Sequence, residues 1–201
     1  CSVHEGDNDG YSGLILAACS GSLDLVKFFL SKGASLSERN NNGDTPLLLA
    51  AYCGHTKLVE WLLDHGSDIA ERNNTDMGVT ISAANGGHLD TVRFLVEKLG
   101  ALAHRETDVG RYTPYLLAAQ RGHLHVVQYL ASRGSDTTAT TLRGLGAASL
   151  SVEHPAVRSY CTYVHGLSPL EIACDLRDVD FVHQLIRSGV DVATEAPAAV
   201  R

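Results

Sequence analysis

Apolar residues along the chain recur in short helical bursts separated by polar, glycine-bounded gaps. In residues 40–72, Leu47, Leu49 and the pair Ala50-Ala51 predict a short first helix opened by Thr45-Pro46. A proline fits at an early helical position because its missing N–H would have been unpaired there anyway. Gly54 ends that helix. Leu58, Val59, Leu62 and Leu63 then return at i, i+1, i+4 and i+5, the spacing of a second amphipathic helix. Gly66 ends the second helix, as a residue tolerant of the left-handed conformation does. The polar, Asn-containing stretch from Ser67 to Gly78 reads as an exposed turn.

The same burst repeats. "GYSGLILAACSGSLDLVKFFLSKGASL" begins at Gly10 and "GDTPLLLAAYCGHTKLVEWLLDHGSDI" at Gly43, 33 residues later. Ala17-Ala18, Ala50-Ala51 and Ala83-Ala84 keep that offset, and Ala118-Ala119 follows after 35. A fixed period of this size predicts stacked supersecondary units, each too small to bury its own apolar face.

The segments "TPLLLAAYCGHTKLVEWLLDHGSD", "TPYLLAAQRGHLHVVQYLASRGSD" and "SPLEIACDLRDVDFVHQLIRSGVDV" resemble the ankyrin repeat, through Thr-Pro-Leu, Ala-Ala, Gly-His and the closing Gly at that family's spacing. The resemblance implies one all-α domain over 1–201, a solenoid of stacked antiparallel helix pairs with short β-hairpin fingers. About six units are expected: 7–39, 40–72, 73–107, 108–140, a shortened 141–165, and 166–195. Departures from the pattern are informative. The first unit has "YSGL" for "DTPL", and the third has "MGVT" and a longer hairpin. The fifth runs from Val164 to Gly166 without room for a finger, so a bend or notch is expected there. The polar Arg177, Asp178, His183 and Gln184 make the sixth unit the expected C-terminal cap, with no equally clear cap at the other end.

Composition narrows the functions. A formal charge of −7 argues against a general binder of nucleic acid or acidic membrane, which needs a basic patch. The 44% hydrophobic content is that of a folded domain, and no run of 18 apolar residues predicts membrane insertion. Five scattered cysteines, odd in number and without a CxxC pair, fit reduced thiols in the cytoplasm or nucleus. The chain opens on Cys rather than Met, so upstream sequence is expected. The sequon Asn73-Asn74-Thr75 is discounted without a secretory signal.

Catalytic readings compete with structural ones. Cys53 beside His55 is the pairing that activates many nucleophilic thiols. His55, however, recurs as His88 and His123, each directly after Gly, whereas Cys53 is matched by Ser20, Gly86 and Arg121. A group present once per unit does structural work. The resemblance implies that this imidazole bonds the helix-start region and ties adjacent units together. His123 and His125, at i and i+2 on a helix, point to different sides, so no metal or other cofactor is expected, and "GLG" at 144–146 is too short for a phosphate loop. An aromatic column, Phe28, Trp61, Phe94 and Tyr129, is either a strip offered to a partner or rings packed between second helices; packing is favoured.

In a stack of this family's kind, fingers and first helices line one concave side. The non-repeating residues there are Tyr11, Arg39, Asn41, Asp44, Tyr52, Cys53, Arg72, Met77, Asn85, Tyr112, Gln120, Arg121 and Asp175, with Cys19, Ser20 and Leu176 among them. Tyr and Arg are enriched in binding hot spots. The expected function is a monomeric, non-catalytic scaffold that binds another protein or a peptide on this face. The alternative is a recruiting domain of a larger protein, such as a ligase adaptor, kinase or channel, whose activity lies elsewhere.

Overall fold

A computed structural model of the chain describes residues 6–100, 103, 106–165 and 167–187. It is built from helix pairs: α1 (Gly13–Cys19) with α2 (Leu23–Ser31), α3 (Pro46–Tyr52) with α4 (Thr56–Asp64), and α5 (Val79–Gly86) with α6 (Leu89–Leu99). After these come α7 (Pro114–Arg121) with α8 (Leu124–Ser132), α9 (Ala147–Leu150) with α10 (Pro155–Val164), and α11 (Pro169–Asp175) with α12 (Val179–Arg187). The first helices α1, α3, α5, α7 and α9 pack side by side in order, and each pair closes on itself. The core is one continuous cluster in which the Ala pairs and the Leu and Val columns are fully buried. Small Ala side chains let the first helices approach closely, and the branched residues fill the space between the layers.

Each first helix needs its unpaired N–H groups satisfied. Ser12, Thr45 and Thr113 accept from the backbone N–H of Ile15, Leu48 and Leu116, so Ser12 does in the first unit what Thr does in the others. In the third unit Gly78 has no side chain to offer. There Glu106, at the end of that unit, reaches back and accepts from Ile81 N–H at 3.3 Å, the bond that the missing hydroxyl would have made. Glu38 and Glu71 stand at the matching positions of the two preceding units and take the Ser12 and Thr45 hydroxyls instead.

The fingers are turns rather than β-hairpins; no strand occurs among the described residues. One side chain organises each. Asp7, Asn40, Asn73 and Asp108 each accept with Oδ1 from two backbone N–H groups, two and four residues on. Thr141 does the same with its hydroxyl. These bonds occupy the groups that a longer hairpin ladder would use. Successive tips are joined by single backbone bonds: Asn41 N to Asp9 O, Asn74 N to Asn42 O, Val109 N to Thr75 O, and Leu142 N to Gly110 O.

The stack ends earlier than the sequence pattern suggests. Only residues 165–168 separate α10 from α11, with no finger between them. Consequently α11 does not join the first-helix row beyond α9. It packs against α8, the second helix of the fourth unit, held there by the ion pair Arg133–Asp178 at 3.2 Å. The Thr137 hydroxyl donates to the Val164 carbonyl at 3.3 Å across the same junction. The fifth unit itself carries the polar end face: Arg158 and Thr162 occupy the columns that hold Val26, Val59, Val92, Val127 and Leu30, Leu63, Val96, Ala131 in the four units before it. The cap assigned to the sixth unit thus corresponds to polar substitutions in the fifth. The Gln184 side chain and residues 188–195 of the expected sixth unit lie outside the described residues.

Candidate functional site

The first-helix row is held from behind by imidazoles. His55, His88 and His123 are the N-cap residues of α4, α6 and α8. Nε2–H of His55 donates to the Cys19 carbonyl at 2.8 Å, and that of His123 to the Asn85 carbonyl at 3.0 Å. His88 bonds the Tyr52 carbonyl in the same way. The acceptors lie at the last turn of the preceding unit's first helix, not at a helix start as the resemblance implied. An imidazole reaches that far because each ring lies against a glycine of the preceding unit. Gly21, Gly54, Gly87 and Gly122 have positive φ, and a Cβ on any of them would collide with the ring of the next unit. The fourth ring of the series is His154, over Gly122. It escapes the sequence pattern because Glu153 precedes it where the other units have Gly.

Burial holds the His88 imidazole below its ordinary range against the opposing pull of the Tyr52 carbonyl, and the neighbouring His123 and His55 add to the depression. The His88 ring is therefore held toward its neutral form while it donates to that carbonyl. No group of three His, Cys, Asp or Glu among the described residues lies close enough to hold a metal ion, and His125 faces a surface groove rather than His123's partners.

Many candidate contact residues are tied into the scaffold. Arg39 donates from Nη1 to the carbonyls of Gly43 and Arg72, both at 2.7 Å, so it bridges two fingers. Asn41 donates to the Asn8 carbonyl at 2.9 Å, and Asn74 to that of Asn41 at 3.0 Å. Asp44 accepts from Asn40 and from Asn73. Arg72 turns inward, filling the space left at Gly78 and pairing with the buried Glu106 at 3.6 Å. Burial pushes the Glu106 carboxyl above its ordinary range, and Arg72 draws it partly back. Met77 is half-buried, with its backbone N–H on Asn73.

Other candidates remain available. Tyr52 is 46% exposed at the end of α3. Cys53 and Gln120 are half-buried beside it and at the corresponding place in α7. Arg121 donates from Nε to Asn85 Oδ1 at 2.8 Å, an exposed pair spanning two units. Tyr112 is half-buried with its ring beside Gly110 at the base of the fourth finger. The Tyr11 phenol bonds Asn40, and partial burial raises its proton affinity. Asp175 is exposed, but it stands on the helix pair docked against α8, so it is displaced from this row, with Leu176 lining a groove beside Arg93 and Tyr129.

The aromatic column is not an open strip. Lys27 lies 5.7 Å from the Trp61 ring of the next unit, and Arg93 and Arg133 lie 5.3 Å from that of Tyr129. His65 stacks on Trp61 at 3.7 Å. Cations and a stacked ring cover these faces, and Phe28 alone of the four is exposed.

Repeated helix pairs that bury one another, with a row of non-repeating side chains along the first helices, define a repeat solenoid. The chain belongs to the ankyrin repeat family: the family model "Ankyrin repeats (3 copies)" matches residues 1–73 and again residues 70–141. That family generally mediates protein–protein interaction and is typically non-catalytic. Comparison with curated proteins returns no match. No helix among the described residues is long and apolar enough to cross a membrane.

Proposed function

We propose that the chain is a non-catalytic recognition scaffold that binds a partner protein or an extended peptide along its first-helix row. The observation that carries this reading is a division of labour within the row. The backbone carbonyls of Cys19, Tyr52 and Asn85 are fixed by the imidazole column. The side chains at and next to those positions differ in every unit and reach solvent. Rigid backbone beneath variable side chains lowers the ordering cost of binding. The contact set is centred on Tyr52 and Cys53, with Tyr11 on one side and Gln120, Tyr112 and the Asn85–Arg121 pair on the other. Arg39, Asn41, Asp44 and Arg72 support it from the fingers. The chain's reduced-thiol pattern fits a cytoplasmic or nuclear setting.

The test replaces Tyr52 and Tyr112 together by Ala. Affinity for a partner captured from native extract by the full chain falls by tenfold or more at a temperature where the variant remains folded. Tyr52→Ala alone, at an exposed position, weakens binding with little change in thermal midpoint. Unchanged affinity removes the site from this row.

A further inference from the structure

We infer, on the reading of the chain as a recognition scaffold, that the fourth and fifth finger tips form a second docking edge. Its occupant is an extended segment of a partner protein that carries aliphatic side chains among carboxylates. Asn8, Asn41, Asn74, Val109 and Leu142 hold the same place in successive tips. Asn41 and Asn74 bond the tip before them twice, once through the backbone N–H and once through the side-chain amide, at 2.9 Å and 3.0 Å. Val109 and Leu142 keep the backbone bond and have no amide to make the other. They are 63% and 66% exposed, and Leu145 is exposed in the same finger as Leu142. A polar residue that ties fingers together is thus replaced twice in a row by an aliphatic one left in water. The stacking of the fingers gains nothing from the exchange, whereas a partner that covers both side chains does.

The charge of the tips changes at the same point. The first three tips carry Asp9 and Asp76, and the next two carry Arg111 and Arg143, both exposed. Neither guanidinium is in an ion pair among the described residues. Arg111 also sits at φ +60°, at the place where Gly10, Gly43 and Gly144 adopt the left-handed conformation in other tips. A residue with a Cβ is strained there, so the turn carries a cost for placing a guanidinium at this edge. Two guanidiniums among aliphatic side chains suit carboxylates. Residues 108–111 and 141–145 contain no aromatic ring on which a nucleic-acid base could stack.

The backbone supplies the third element. The carbonyls of Asp9, Asn42, Thr75 and Gly110 each accept from the following tip. The matching carbonyl of the fifth tip belongs to Arg143. No finger follows it, and no hydrogen-bond donor among the described residues reaches it. A partner N–H that bonds this carbonyl continues the series and brings the partner's side chains against Leu142, Val109 and the two arginines.

The experiment selects a displayed library of random short peptides on the folded full chain and measures the enriched peptides by fluorescence anisotropy. The expected family combines aliphatic residues with Asp or Glu, and its binding weakens as salt rises. Val109→Asn with Leu142→Asn gives both tips the residue of the first three. It should lower affinity by about tenfold or more while the thermal midpoint holds or rises. Arg111→Gly with Arg143→Asn also copies residues of other tips, and should lower both the affinity and its salt dependence without loss of stability. Peptides that lose affinity with Tyr52→Ala but not with the tip variants keep the scaffold reading and overturn this inference. Enriched peptides without carboxylates, a library that yields no enriched family, or a single-stranded RNA that competes as well as the peptides also overturn it.

Discussion

The two ends of the stack are made of the same units and present opposite surfaces. In the first unit Leu16 is 51% exposed and Leu25 48%. Their counterparts in the next three units are buried: Leu49, Ser82 and Leu117 at 7%, 4% and 6%, and Leu58, Thr91 and Val126 at 3%, 0% and 1%. The first unit thus carries the letters of an inner repeat on a face exposed among the described residues, and exposed Phe28 extends it. At the far end the chemistry changes. The column of Val26, Val59, Val92 and Val127, fully buried throughout, becomes Arg158 in the fifth unit. One end retains the apolar columns used between units, while at the other charge and hydroxyl groups replace two of those columns, beside exposed Val152 and Tyr163. Position in the array, not the repeat pattern, decides what a column residue contributes.

The strongest way to break this contrast is to move the end into the middle. Val92→Arg copies the fifth unit's residue into a sealed column, where its charge has neither water nor a partner. The expected loss exceeds about 3 kcal/mol in urea unfolding, enough to uncouple the units on either side. The next effect compares one column at two places. Leu58→Ala should cost about 2–4 kcal/mol, since it empties a packed site. Leu25→Ala, already half in water, should cost less than about 1 kcal/mol. Equal losses would mean that the open face is covered in solution.

These columns also show what a sequence can disclose. The period, the helix pairs and the imidazole column are legible because each depends on residues at fixed spacing within a unit. His55, His88 and His123 announce themselves by the glycine before them, and His154 does not. The substitution of Gly78 for Thr is equally visible, but its consequence is not. Glu106 replaces the lost cap and Arg72 fills the lost volume, and both act through space from other turns. Part of the contact row is tied into the scaffold for the same reason. Arg39 and Asp44 look like free polar residues until the fingers stack and their hydrogen bonds cross between units. The missing finger after Val164 is plain in the letters. The direction in which α11 then turns depends on Arg133 meeting Asp178, a pairing of residues 45 positions apart that no local pattern encodes.

Acid provides a graded probe of the inner seams against the ends. His88 is neutral in the folded chain, with its proton affinity below the ordinary 6.5, so the unfolded chain binds more protons in that range. Folding stability is therefore fully present above about pH 6.5 and declines as pH falls through that value, until the native imidazole also protonates. Replacing His88 by Gln should lower stability at pH 7 and flatten its pH dependence between pH 7 and 5 in urea titrations. The same replacement at exposed His125, outside the seams, should cost less stability at pH 7 than the one at His88.

The smallest effect on stability should come from making the finished end resemble the open one. Arg158→Val restores the inner-repeat residue at a position exposed among the described residues, so it removes no contact within the core and should shift unfolding by no more than about 0.5 kcal/mol. Its consequence lies in association. The variant would offer an apolar trailing face to the apolar leading face of a second copy, a head-to-tail contact that does not close on itself. Sedimentation velocity should show concentration-dependent growth beyond the wild type. Adding Leu25→Glu to the same chain should abolish that growth, because it charges the opposite half of the contact. Growth that survives the second change would place the new contact elsewhere, and the polar face of the fifth unit would then not be what ends the stack.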